Sequence, residues 1–309
     1  MLRFFRALDG RMAETSEENV ARFISAIAPT NAEISRLSAL LGIGSGVFYA
    51  ALDEGGVPRV ETAEGATLVV CASPVTFRQG ESMRFAVCPF SLIFIGQTVV
   101  AVSARENPVA GDLVQSMGVA LGQNGRMTAL FMQILVARFR RHLHQIKKMM
   151  TYLEKQLGHT PHNRKLQELL DMEAALVHYS TALRENAGVL ESLPHDRSIL
   201  LTEEDQLLLG YARVEMKRIG ELAAAYAKLL NGTIGTVSSI VLNNFNTMLR
   251  VFSVVLIFLA LGLIGFFVYG LYTPGFSLVS VFLMLVLSVI CMSCGALVLH
   301  QGGSKRRAS

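Results

Sequence analysis

After Glu221 the sequence contains no carboxylate at all, and between Arg250 and Lys305 it runs for 54 residues without Asp, Glu, Lys or Arg. That absence excludes an ordinary soluble chain. It agrees with a hydrophobic content of 51% and a mean hydropathy of +0.43, which point to membrane-embedded sequence. Residues 1–221 are close to balance, with 23 basic and 24 acidic side chains. The remainder carries only Lys228, Arg250, Lys305, Arg306 and Arg307. Because these cations flank apolar runs, they fit a membrane rather than a nucleic acid partner. Cysteine is scarce, at four residues, and no spaced framework suggests a secreted disulfide scaffold. Cys71 and Cys88 lie in apolar, strand-like sequence and read as buried thiols. The N-terminal apolar run, Met1 to Asp9, is too short and interrupted for a signal peptide, so the soluble part is expected in the cytoplasm. No nucleophile–base pair or carboxylate dyad stands in a context that suggests an active site. The chain therefore reads as no enzyme, with no cofactor.

The charge-free run breaks once, at Tyr272-Thr273-Pro274-Gly275, where Pro-Gly signals a turn. Val251 to Leu271 is 21 residues, a helix of roughly 32 Å, long enough for a hydrocarbon core of about 30 Å. Ser277 to Leu299 forms a second span. A hairpin leaves both ends on one side. Arg250 before it and Lys305-Arg306-Arg307 after it place that side in the cytoplasm of a cell (inner) membrane protein.

The rest predicts an α+β fold: a cytoplasmic α/β domain over 1–110, a helical hairpin over 111–200 and a stalk helix over 201–250. Transmembrane helix 1 follows at 251–271, an external loop at 272–276, transmembrane helix 2 at 277–299 and a basic tail at 300–309. Thr30 with Glu33 forms a capping box for a helix to Leu41, with Gly42 as its left-handed cap. Thr67–Ala72, Phe85–Cys88, Ser91–Ile95 and Thr98–Ser103 read as strands, the last two joined at Gly96-Gln97. Apolar residues at helical spacing mark helices over Arg126–Leu157 and about Asn163–Leu190. Thr202-Glu203-Glu204-Asp205 caps a third helix, with three acids favourable to its N-terminal dipole. No proline follows until Pro274, so this helix is expected to run from Glu203 into the membrane at Leu271, loosened midway by Gly232 and Gly235. So long a helix must pack against copies of itself or the two preceding helices.

Several motifs carry little. Gly42-Ile43-Gly44-Ser45-Gly46 follows a helix rather than a strand and reads as a cap and turn, not a phosphate loop. His142 and His144 lie two apart on a helix and point to different faces. His159 and His162 flank Pro161 in a loop that is a poor metal site. Cys291 and Cys294 share a face of the second span as small packing residues. Asn231-Gly232-Thr233 matches a glycosylation sequon but lies on the cytoplasmic side.

In order and composition the whole chain resembles the CorA-type magnesium channels, of the two-transmembrane superfamily with a Gly-x-Asn signature. The likeness is closest in Leu40–Leu52, Pro89–Pro108 and Leu230–Tyr272, including Val102-Ser103-Ala104-Arg105-Glu106-Asn107-Pro108 and Leu242-Asn243-Asn244-Phe245-Asn246. The resemblance implies a funnel-shaped homopentamer in the lipid bilayer, its pore lined by the first span, conducting divalent metal ions. Mg2+ is the first expectation, as cargo and as a possible regulatory ion; the metal-binding residues are unknown. It places Asn246, Leu249, Phe252, Leu256, Ala260, Leu263 and Phe267 along the pore. The family's first span ends in Tyr-Gly-Met-Asn, or in Gly-Val-Asn in zinc-transporting relatives. Here Tyr269-Gly270-Leu271-Tyr272 stands at that selectivity-filter position, so Tyr272 replaces the asparagine. The alternative is a diverged pore without Mg2+ selectivity, such as a signal-gated membrane effector or a transporter of Zn2+ or another ion.

Overall fold

The computed structural model describes residues 1–8, 11–80, 82–116, 123–157, 163–195 and 199–272, with 282, 286 and 289. The chain divides into two units, Met1–Ile234 and Gly235–Ser309.

The first unit contains seven strands: β1 (Leu2–Leu8), β2 (Arg11–Thr15), β3 (Phe23–Ile27), β4 (Arg59–Ala63), β5 (Ala66–Gln79), β6 (Ser82–Ile95) and β7 (Thr98–Ser103). They form one sheet in the order β2-β1-β3-β7-β6-β5-β4. Every pairing is antiparallel except β3 with β7. Between β3 and β4 lie α1 (Asn31–Leu41) and α2 (Ser45–Leu52). Both halves of the capping box form: Glu33 N–H donates to Thr30 Oγ1 at 3.3 Å and Thr30 N–H to Glu33 Oε2 at 2.9 Å. Gly42 closes α1 at φ 69°, a left-handed conformation that a side chain would strain. Gly44 then caps α2, so the glycine run is a turn between two helices.

Strand side chains alternate between faces, and both faces are buried. Ile24, Leu68, Val70, Ile93, Val100 and Val102 pack with Ile34, Leu37, Val47 and Phe48 of α1 and α2. The opposite face meets α3 (Pro108–Ser116), α4 (Asn124–Leu157) and α5 (Asn163–Ser192). There the Phe90 and Phe131 rings lie 5.5 Å apart and Cys71 contacts Met132.

The predicted strands Phe85–Cys88 and Ser91–Ile95 are one strand, β6, running through Pro89. Proline is tolerated because its imide needs no partner on that side. Opposite it, Ala72 gives both main-chain groups to Asn186 of α5, at 2.9 and 2.8 Å, and so faces away from β6. Pro89 likewise turns its backbone away from β5, and Ser103 Oγ donates to its carbonyl. The fully buried Asn186 carboxamide thereby stands in for the strand residue missing beyond the end of β4. Strands β1, β2 and β4 and helix α2 carry no pattern strong enough to be read from the sequence. Helix α3 starts at Pro108, four residues before the helical reading.

Candidate functional site

The longest element is α6 (Glu203–Tyr272), 70 residues without a break. Its start is fixed by Thr202, whose Oγ1 accepts from Asp205 N–H at 3.2 Å while Asp205 Oδ2 accepts from Thr202 N–H at 3.1 Å. The Asp205 side chain is only 5% exposed, and Arg126 of α4 lies 3.5 Å from it and 3.0 Å from Glu204. The neighbouring residue must be glycine. A Cβ on Gly125 would sit 2.3 Å from the Leu200 carbonyl oxygen. Neither Gly125 nor Arg126 carries a sequence signal of its own.

From there α6 uses one face to join its own domain. Leu209, Ala212, Met216, Ile219, Ala223, Ala227 and Leu230 are buried at spacings of three and four. Polar contacts from α4 flank them: Arg140 donates to Glu215 at 2.5 Å, Lys147 lies over the Tyr226 ring, and Thr233 donates to Glu154. Glu215 also accepts from Arg218, and the two guanidiniums hold its carboxyl below the usual range, Arg218 contributing most. The opposite face is apolar yet exposed, at Leu207, Tyr211, Val214, Leu222 and Leu229.

In the second unit α6 is long and apolar enough to cross a membrane. Its large side chains are exposed on every side, among them Met248, Leu256, Ile257, Leu261 and Ile264. A helix apolar all round needs lipid or protein cover. All the residues expected along the pore lie on it. Asn246, Leu249, Phe252, Leu256, Ala260 and Leu263 are exposed, and Phe267 is helical. Together they span an arc of about 120° on an ideal helix. Tyr269 is exposed, Gly270 half-buried, and Leu271 and Tyr272 complete the helix. The loop at 273–276, most of the second span and the basic tail lie outside the described residues, as do Cys291, Cys294, His159 and His162.

Elsewhere the titratable groups serve the core. His142 is buried and its Nδ1 lies 2.8 Å from the Tyr179 hydroxyl, while His144 is exposed on another face of α4. Burial, with Arg138 and Arg141 nearby, pushes His142 down to about 4. Cys71 and Cys88 are buried free thiols, both pushed up by burial. Among the described residues, no three His, Cys, Asp or Glu side chains are grouped to hold a metal ion.

The family model for the CorA-like Mg2+ transporter protein matches residues 18–293. Of solved structures, the complete CorA magnesium transporter from Methanocaldococcus jannaschii aligns at TM-score 0.68 and 16% identity, over 97% of this chain and 96% of that one. The full-length CmaX protein aligns at TM-score 0.59 and 13% identity, over 95% and 97%. The cytoplasmic domain of ZntB from Vibrio parahaemolyticus RIMD 2210633 aligns at TM-score 0.50 and 10% identity, over 79% and 97%. At these identities the three structures establish a shared fold. No curated protein sequence matches. An α/β domain, a long helix that leaves it with an uncovered apolar surface, and a family match over most of the length give one conclusion: the chain belongs to the CorA-like Mg2+ transporter protein family, whose members are ion transporters rather than enzymes.

Proposed function

We propose that the chain is a divalent-cation channel carrying Mg2+ across a cell (inner) membrane, assembled as a homopentamer around α6. The carrying observation is the apolar surface of α6, uncovered on every side in a single chain. Copies of α6 facing a common axis would cover part of it, and the bilayer with a second span at 277–299 would cover the rest. The exposed stripe from Leu207 to Leu229 supports assembly through the stalk. In this reading both termini are cytoplasmic, residues 272–276 form the external loop, and 300–309 form a tail at the inner surface.

Asn246, Leu249, Phe252, Leu256, Ala260, Leu263 and Phe267 line the pore, and Tyr269 to Tyr272 occupy the filter position. From Phe252 to Phe267 that face is apolar for about four turns. An apolar wall cannot replace the water around a divalent ion, so the resting pore is closed and dry. Mg2+ sheds water reluctantly and suits a ring of hard amide oxygens; Tyr272 supplies a phenol oxygen on a bulky ring instead. That departure favours a second reading, a diverged pore without Mg2+ selectivity.

The test is Mg2+ entry into proteoliposomes holding a Mg2+-sensitive dye. Leu263→Thr with Phe267→Gly is expected to raise the rate by about tenfold, equivalent to about 1.4 kcal/mol of barrier. Tyr272→Asn is expected to shift selectivity toward Mg2+. Equal rates in the unaltered protein and the double variant would remove the apolar constriction from the account.

A further inference from the structure

Two observations on α6 meet at one face. The exposed apolar stripe Leu207, Tyr211, Val214, Leu222 and Leu229 continues a repeat that, from Arg218 onward, steps strictly by four and three. Carried forward in the same phase, the repeat falls on Gly232, Thr236, Ser239, Asn243 and Asn246, and its next steps are Arg250 and Ser253. The seam therefore changes character at Gly232, from apolar to polar, without changing face. Around it the helix stays apolar, with Val241, Phe245 and Met248 exposed on the opposite side.

The second observation concerns hydrogen bonds. The Ser239 hydroxyl donates to the Gly235 carbonyl at 2.9 Å and needs no further partner. The carboxamides of Asn243 and Asn246 have no hydrogen-bonded partner among the described residues. An amide on an otherwise apolar helix is costly in lipid or in a dry contact and cheap only against water or another polar group. Asn244, the third asparagine, lies about 100° away from Asn243 and off the seam.

We infer that the polar half of this seam, Thr236, Ser239, Asn243 and Asn246, lines a water-filled vestibule shared by copies of the chain, on the cytoplasmic side of the apolar constriction. Asn243 then forms a second ring of amides one turn before Asn246. The vestibule lets a divalent cation approach with its water shell intact, held by outer contacts to amide oxygens rather than by direct ligands. Dehydration is confined to the apolar stretch beyond. The inference rests on the proposed assembly around α6 and adds residues not assigned to the pore above.

The test uses the full chain in proteoliposomes with single cysteines at 236, 239, 243 and 246, and at 241, 245 and 248 for comparison. The unaltered protein, with its buried Cys71 and Cys88, sets the background. A water-soluble bis-methanethiosulfonate is expected to join copies at the four seam positions at least about tenfold faster than at the three others, since thiolate attack needs access to water. Faster linking at 241, 245 and 248, or equal linking around the helix, would overturn the assignment. Linking between copies needs assembly but no conduction. A seam-periodic pattern in a protein that moves no ion would uphold the vestibule and reject the transport reading. Asn243→Leu, which keeps the helix, is expected to lower Mg2+ entry severalfold; an unchanged rate would overturn the second amide ring.

Discussion

His142 shows what a single buried group does to this chain. Its ring lies between Phe85 and Tyr179, with ring centroids 5.9 and 6.1 Å away, and Tyr179 holds Nδ1. The folded imidazole titrates at about 4 against an ordinary 6.5. The unfolded chain therefore binds the proton first as pH falls. Stability is fully present above the ordinary value and drains away between the two, by up to about 3 kcal/mol. His142→Asn, which keeps a polar partner for Tyr179, is expected to flatten that part of the stability–pH curve, measured by thermal unfolding of the detergent-solubilised protein. An unchanged slope between pH 6.5 and 4 would assign the acid sensitivity to other groups. At this scale the sequence is legible where the chemistry is local. Thr30 with Glu33, Thr202 with Asp205, and the two buried thiols are readable from neighbours alone. Asn186 is not, because its partner Ala72 lies 114 residues away. The available signal was a polar residue at a core position of an apolar helical repeat.

Between elements, the contact that sets α6 in its domain is the close approach of α4 to the chain at Leu200. With Gly125→Ala, the added Cβ meets a main-chain carbonyl, which cannot swing aside as a flexible side chain would. The head of α6 must shift, and overpacking of this kind costs about 1–3 kcal/mol. The expected result is a lowered midpoint of thermal unfolding and faster proteolysis near the start of α6. A variant as stable and as resistant as the parent would mean the junction yields freely. Helices were the more legible elements because their apolar spacing persists for many turns. Helices α4, α5 and α6 start within about two residues of their predicted positions. The strands were less so. With both faces of the sheet buried, β5 and β6 lack clean alternation, and Pro89 hid the continuity of β6. The short edge strands β1, β2 and β4 take their state from pairing with distant partners, which no local pattern encodes.

At the scale of the whole molecule, the single chain leaves an apolar stripe and a membrane-length helix uncovered, and assembly is the physical remedy. Native mass spectrometry in detergent is expected to give five subunits; a stable monomer or dimer would contradict the shared pore. The family was legible because element order and local motifs persist along the chain. The ion was not, because selectivity depends on rings that form only between copies and because Tyr272 departs from the signature. The most direct measurement is a flux panel in proteoliposomes, comparing Mg2+, Zn2+, Na+ and Cl− for the unaltered protein and for Leu263→Thr with Phe267→Gly. The account predicts Mg2+ entry above protein-free vesicles in both, faster in the variant, with no chloride movement. Chloride or sodium flux without Mg2+ entry in either protein would contradict it.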